Sequence, residues 1–453
     1  MNSIPQFLIA APSSGSGKTT VSRGLMALLT RKGLKVQPFK CGPDYIDTKY
    51  HTEVCGRPSV NLDTFMASPA HVSELYAHYA EGADACVVEG MMGMYDGYDR
   101  DKGSSAEIAA LLHLPVVLVV DAKSAAYSMA PLLSGFLHFR QDVQIAGVIF
   151  NRVGSPRHYE ILQDVCKELN VTCLGYLPKH KSLEAASRYL GLDFSQTQTA
   201  EDLELLTGLL EQYVDWNLLL AKTTLPVSEE TLPLPGETGL LPDNTELPGD
   251  AEPLSGRAEP LPPKSHGKPR PLRILVARNE ESFTFLYQEH LDILRRLGTV
   301  YFFDPECNRP IRKTDLLYLP GGYPEKHLRK LGKAWNCRSS IQDYVRAGGK
   351  VLAECGGMMY LAEFILPIHL LYIGKSRKLT LGYRQFDYNG LHLRGHEFHY
   401  TQLRHRPLPP PSVAQVYNAK GQPVDTSVFR YKNVIASYTH LYWGEINPLD
   451  LFK

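Results

Sequence analysis

Short apolar runs alternate with amphipathic stretches from Gln6 to about Tyr213. "QFLIAA" (6–11), "KVQPFK" (35–40), "ACVVEG" (85–90), "PVVLVVD" (115–121) and "IAGVIFN" (145–151) read as buried strands. Between them, "TTVSRGLMALLTRK" (19–32), "PAHVSELYAHYAE" (69–81) and "RHYEILQDVCKEL" (157–169) carry apolar residues at helical spacing. Strand and helix in alternation predict a parallel sheet covered on both faces. A second α/β rhythm begins at "LRILVAR" (272–278). It runs through "LYQEHLDILRRLG", "TVYFFD", "LLYLPGG", "IQDYVRAGGK" and "KVLAEC" to "VIASYTHLYW" (434–443). Between the two lies a different texture: 11 of the chain's 32 prolines fall between Pro226 and Pro271. That stretch lacks the apolar content to build a core and reads as a partly extended tether. The expected organisation is residues 1–221, a Pro-rich linker 222–271, and residues 272–453.

Length and composition support this division. At 453 residues the chain exceeds one ordinary domain, and 43% hydrophobic with 21% charged residues is typical of a water-soluble globular protein. Lys+Arg and Asp+Glu balance at 48 each, which argues against a general nucleic-acid or anionic-membrane binder. The eight cysteines are scattered without CxxC pairs, as in a reducing compartment, and the N-terminus lacks the basic start and apolar core of a signal peptide. No apolar run approaches the roughly 20 residues of a membrane span, so a cytoplasmic location is expected.

Two stretches carry chemistry. "APSSGSGKTT" (11–20) follows a strand and opens a helix, the setting of a phosphate loop. Gly15 and Gly17 permit turns that aim backbone N–H groups at an anion. Lys18 reaches outer phosphates and Thr19 is placed to ligate Mg²⁺, so Gly15, Ser16, Gly17, Lys18, Thr19 and Thr20 form the expected ATP-binding set. The pattern is a variant, with Pro12 where the strict motif has glycine. Glu89, at the end of a strand beside this loop, is a second Mg²⁺ candidate. "KCGPDYIDTKYH" (40–51) gathers Lys40, Asp44, Tyr45, Asp47 and His51 in one turn and reads as a substrate site, with Asp44 also a candidate metal ligand.

The second stretch is "KVLAECGGMMYLAEF" (350–364): strand, tight turn, helix, with Cys355 at the corner. This is a nucleophile-elbow pattern, in which the helix N-terminus is expected to lower the thiol pKa. His440, at the end of another strand, is the candidate base, and Gly321, Gly322 and Gly356 are candidate oxyanion donors. In "RGHEFHY" (394–400) the spacing is not the helical H-E-x-x-H of zinc enzymes. On a strand, His396 and Phe398 would share one face and Glu397 and His399 the other, a core or substrate-facing arrangement.

Taken together, "APSSGSGKTT", "KCGPDYID", "VVEGMMGMYDG", "GVIFNRVGS", "GGYPE", "AECGGMMYL", "GHEFHY" and "ASYTHLYW" resemble the cobyrinate a,c-diamide synthase family, in that family's order along nearly the whole chain outside the tether. The resemblance implies an N-terminal P-loop domain of the dethiobiotin-synthetase type and a C-terminal α/β domain like class I glutamine amidotransferases. It implies that Cys355, assisted by His440, releases ammonia from L-glutamine. ATP would convert a carboxylate of a corrinoid or related tetrapyrrole to an acyl phosphate, which ammonia then amidates. By the same resemblance, Lys18, Thr19 and Glu89 serve phosphates and Mg²⁺, Asp44 and Asp47 abut substrate and metal, and Asn151 reads the adenine. Lys40, His51 and Arg57 would be local cations for a polycarboxylate. Fully triadic amidotransferases carry a Glu two residues after the histidine; Tyr442 stands there, so a Cys–His pair is expected. The rivals are hydrogenobyrinate or nickel-sirohydrochlorin as acceptor, cobyric acid synthase, and a partition-type ATPase with an inactive amidotransferase-like domain. Because an open gap would leak ammonia, a packed inter-domain face is expected, within one chain or across a homodimer.

Overall fold

The structure, a computed structural model, describes residues 3–180, 200–226, 270–366, 370–405 and 411–453. The first half holds strands β1 (Ser3–Ala10), β2 (Val36–Cys41), β3 (Val60–Leu62), β4 (Ala85–Glu89), β5 (Val116–Asp121), β6 (Ile145–Val153), β7 (Cys173–Pro178) and β8 (Thr224–Pro226). The first seven form a parallel sheet in the order β3-β2-β4-β1-β5-β6-β7. Central strands β1, β4 and β5 are buried on both faces, which is why they read as continuous apolar runs rather than alternating ones. The helices Lys18–Arg31 (α1), Ile46–Cys55 (α2) and Pro69–Ala80 (α3) each follow a strand.

Strand β8 pairs antiparallel with β1, placing Pro226 opposite Ser3. Lys222 and Thr223 complete the helix Trp216–Thr223. The first five residues assigned to the tether are thus regular structure of the N-terminal half, held there by backbone pairing. Residues 227–269 of the tether lie outside the described residues.

The second half builds a six-stranded sheet from β9 (Leu272–Ala277), β10 (Gly298–Phe303), β11 (Leu316–Leu319), β12 (Lys350–Glu354), β16 (Val428–Tyr431) and β17 (Val434–Ser437), in the order β10-β9-β11-β12-β17-β16. It is parallel except for the β16–β17 pair. Beside it stands an antiparallel sheet in the order β15-β13-β14-β18, from β13 (Leu370–Tyr388), β14 (Leu391–His405), β15 (Tyr417–Asn418) and β18 (His440–Tyr442). Asn389 and Gly390, both at positive φ (50° and 75°), make the two-residue turn of the β13–β14 hairpin.

The two halves pack together within one chain. Tyr287 and Tyr442 of the second half sit in the hydrophobic core of the first. His71 Nε2 meets Glu289 at 2.5 Å, the Tyr383 hydroxyl donates to Asp63 at 2.6 Å, and Ser68 donates to Glu445 through Oγ (2.5 Å) and N–H (2.7 Å). Tyr79 also bonds Asp292 across the seam.

Candidate active site between the two halves

The phosphate loop leaves β1 and turns into α1 at Gly17, whose φ of 103° belongs to glycine. A Cβ there would lie 2.0 Å from Asn151 Nδ2, so the position is closed to any side chain. Asn151, on β6, donates from Nδ2 to the Ser16 carbonyl at 2.9 Å, and Ser16 Oγ donates to the Ser13 carbonyl at 2.9 Å. Asn151 thus braces the loop from β6, beside the position where the resemblance has it read the adenine. Lys18 donates to the Met92 carbonyl; burial and the nearby Lys40 charge lower its pKa to about 8. Thr19 follows it into the first turn of α1, with Thr20 behind.

Below the loop lies a buried charge network. Glu89, ending β4, accepts from Thr19 Oγ1 (2.6 Å), Lys40 Nζ (2.9 Å) and His51 Nε2 (2.8 Å). Lys40 also meets Asp47 at 3.0 Å and the Gly90 carbonyl at 3.2 Å. Burial alone would raise the Glu89 carboxyl, but Lys40 and His51 hold it well below the usual carboxylate range. Burial likewise opposes the Lys40 ammonium, yet Glu89 and Asp47 hold its pKa above the ordinary value.

Three of the expected cations already have protein partners. Lys40, which also lines the cavity above this network, is paired with two buried carboxylates. His51 is fully buried under Glu89, and its Nδ1 faces Ser59 Oγ at 3.4 Å. Arg57 caps carbonyls of Tyr79, Glu81 and Gly82 and bonds Gln37, a structural role. Asp44 uses Oδ1 to accept the N–H groups of Ile46 (2.8 Å) and Asp47 (2.9 Å) at the start of α2, and no hydrogen bond or ion pair joins it to Thr19 or Glu89. Burial and the neighbouring Asp47 raise its carboxyl to about 6.

Above this network is a cavity of about 330 Å³ with walls from both halves. Lys18, Thr19, Asp44, Tyr45 and Glu89 line one side, and Phe285, His396 and Phe398 the other. The alternation read in "RGHEFHY" holds on β14: His396 and Phe398 share the cavity face. Glu397 points away to Arg384 at 2.9 Å, and His399 stacks on Tyr438 with centroids 3.8 Å apart. Tyr45 closes the wall. Its ring stacks on Phe285 (5.0 Å, 11°) and lies 4.6 Å from Tyr287, 5.6 Å from His396 and 5.3 Å from His440.

Cys355 stands where β12 turns into the helix Gly356–Phe364, at φ 46° and ψ −108°. That strained backbone is what an exposed-nucleophile elbow requires of a non-glycine residue. The Gly356 N–H points at the thiol, and Sγ lies 4.0 Å from the Phe398 carbonyl. The expected lowering of the thiol pKa is not found. Burial and the Glu325 carboxylate raise it, and outweigh the Gly356 N–H. Gly356 and Gly322 are in close contact: a Cβ on Gly356 would lie 2.9 Å from Gly322 N, so the two turns face each other. Gly321 instead packs beneath His440, where a Cβ would come 2.2 Å from the ring.

His440 opens β18, paired in register with His396, and their rings stack at 5.0 Å. It is fully buried, and among the described residues neither ring nitrogen has a hydrogen-bond partner. Burial and the two nearby histidines, His396 and His399, hold it well below the usual imidazole pKa. No hydrogen bond joins it to Cys355. Tyr442, in the place of a third triad member, turns its hydroxyl to Glu289. Sequence reasoning missed the tilted ring contact of Tyr45 with His440 and the position of Glu325 near the thiol. The Gly-Pro before Asp44 and the "GGYPE" turn marked those loops without giving their contacts.

Residues 7–192 match the family described as CobQ/CobB/MinD/ParA nucleotide binding domain, and residues 273–448 the CobB/CobQ-like glutamine amidotransferase domain. A nucleotide-binding domain and a glutamine amidotransferase domain that share a cavity wall define the class of glutamine-dependent amide ligases. Among curated relatives, "Cobyrinate a,c-diamide synthase" of Caldanaerobacter subterraneus subsp. tengcongensis is 35% identical, over 96% of this chain and 94% of its own. "Hydrogenobyrinate a,c-diamide synthase" of Streptomyces coelicolor is 36% identical over 98% and 95%, and the Brucella suis protein of the same name 36% over 96% and 98%. The chain belongs to the cobyrinate/hydrogenobyrinate a,c-diamide synthase family.

Proposed function

We propose that this protein amidates the a and c carboxylates of cobyrinate, with L-glutamine as nitrogen source and ATP with Mg²⁺ as activator. The observation that carries the reading is the cavity shared by the phosphate loop and the amidotransferase strand β14, because activated carboxylate and ammonia must meet out of bulk water. A carboxylate is a poor electrophile; phosphorylation by ATP gives it a leaving group that ammonia can displace. Lys18 and the N–H groups opening α1 bind the phosphates. Thr19 Oγ1 and Glu89, 2.6 Å apart, suit Mg²⁺, which takes one or two protein oxygens beside phosphate and keeps several waters. Lys40 and His51 hold Glu89 ionised for that task. Asp44 and Tyr45 face the acceptor from the cavity wall.

In the amidotransferase half, Cys355 attacks the amide carbon of glutamine while the Gly356 and Gly322 N–H groups receive the oxyanion. His440 takes the thiol proton and gives it to the departing ammonia; since no hydrogen bond joins the pair here, the ring must shift toward Cys355 for that transfer. All eight cysteines are free thiols, and among the described residues no helix is long and apolar enough to cross a membrane. We read the protein as cytoplasmic. A second reading, hydrogenobyrinate as acceptor, is favoured by the Streptomyces and Brucella relatives of that name.

The test offers cobyrinate, hydrogenobyrinate and nickel-sirohydrochlorin in parallel with ATP, Mg²⁺ and glutamine, and follows product mass. Two amide additions to cobyrinate support the reading. Two additions to hydrogenobyrinate alone support the second, and none to any acceptor contradicts both.

A further inference from the structure

Glu325 lies in the turn Pro324–Lys326, which follows Gly322 and packs against the helix that Cys355 opens. Pro324 Cδ would be 2.8 Å from a Cβ on Gly356, so this turn is pressed onto the elbow itself. The Glu325 side chain is partly exposed, but its Oε2 is buried and among the described residues has no hydrogen-bond partner. A buried carboxylate oxygen without a donor is costly and calls for an explanation. Burial raises the Glu325 carboxyl above its usual value; its own backbone N–H, Lys326, His327 and His399 only partly offset this. After burial, Glu325 is also the largest influence raising the Cys355 thiol. One cation placed beside Glu325 would relieve both groups at once.

Resting on the reading of Cys355 as the glutamine-cleaving nucleophile, we propose that Glu325 binds the α-ammonium group of glutamine. The amide that Cys355 attacks and the α-ammonium are ends of one short chain, so a carboxylate beside the thiol meets the charge that substrate itself brings. Binding then does two things. It satisfies Oε2 with a charge-assisted hydrogen bond, and it cancels the negative charge that disfavours the thiolate. Free glutamine is thereby distinguished from side-chain amides that lack a nearby ammonium, and the nucleophile is activated only when its substrate is seated.

The test measures kcat/KM for amide hydrolysis by wild type, Glu325→Gln and Glu325→Asp. The substrates are glutamine and its desamino analogue, the same chain without the α-amino group. Ammonia-driven amidation, which bypasses this pocket, serves as the check on folding. Wild type should prefer glutamine by about 30-fold or more, as expected for a buried charge pair. Glu325→Gln should lower kcat/KM for glutamine by a similar factor while leaving that for the analogue unchanged or raised, since the charge that disfavours the thiolate is gone, so that the preference collapses. Glu325→Asp should keep part of it. An equal fall for both amides, with the preference intact, overturns the assignment. Cys355→Ala separates the two layers: if it still uses glutamine, the nucleophile reading fails. If it does not, and Glu325→Gln keeps the preference, only the Glu325 assignment fails.

Discussion

The ring of Tyr45, from the phosphate-loop half, lies 5.3 Å from the ring of His440, from the amidotransferase half. Tyr45 also lines the shared cavity, one residue after the helix-capping Asp44. A single aromatic side chain thus touches both the shared cavity and the histidine proposed to serve the thiol. Among the described residues both ring nitrogens of His440 lack hydrogen bonds, and its ring is held by neighbouring rings: His396 stacked on it at 5.0 Å, Tyr45 and Phe285 tilted against it at 5.3 and 5.8 Å.

Replacing Tyr45 with Ala should therefore impair glutamine use more than ammonia use. Aromatic pairs contribute about 0.5–1.5 kcal/mol beyond area burial, so the ratio of glutamine-driven to ammonia-driven amidation should fall about 2- to 12-fold. Tyr45→Phe keeps the ring and should keep the ratio. An unchanged ratio in the Ala variant would show that His440 is set by other contacts.

Lys40→Met distinguishes a structural lysine from a substrate cation. It leaves Glu89 and Asp47 buried with one counter-charge fewer, a loss of about 3–5 kcal/mol in unfolding free energy. Urea denaturation checks this. Were Lys40 instead a carboxylate-binding cation, stability would hold and only the KM for the corrinoid would rise.

The lowered Lys18 pKa, about 8, makes nucleotide binding pH-dependent. Phosphates favour the ammonium form and raise its pKa on binding. Well below pH 8 the amine is already protonated, so no proton need be taken up; near and above it, binding must draw one from buffer. Titration calorimetry in buffers of different ionisation enthalpy should show uptake approaching one proton at about pH 9 and almost none at about pH 6.5. Equal uptake at both would place the Lys18 pKa elsewhere.

Much of this architecture was legible in the chain because parallel strands buried on both faces leave unbroken apolar runs, as β1, β4 and β5 do. The phosphate loop and the elbow were equally plain: Gly15 and Gly17 before Lys18 sit at positive φ, and at Gly356 and Gly357, after Cys355, a Cβ would strike Gly322 and Leu319. The β13–β14 hairpin was less visible. Its one sharp local sign was Asn389-Gly390, a two-residue turn that fixes the pairing carrying His396 to His440. Charge pairing was not legible: Lys40 meets Glu89, 49 residues away, only after the sheet aligns β2 with β4. The thiol pKa was misjudged in the same way, because helix position is local and readable while enclosure by Glu325 is not.

The division of labour between the two halves is tested most directly by the nitrogen source that a Cys355→Ala variant can use. With ATP, Mg²⁺ and cobyrinate present, the account expects glutamine-driven diamide formation to vanish while free ammonia supports it at close to the wild-type rate. Loss of both activities in a folded variant, or retention of the glutamine-driven one, would contradict it.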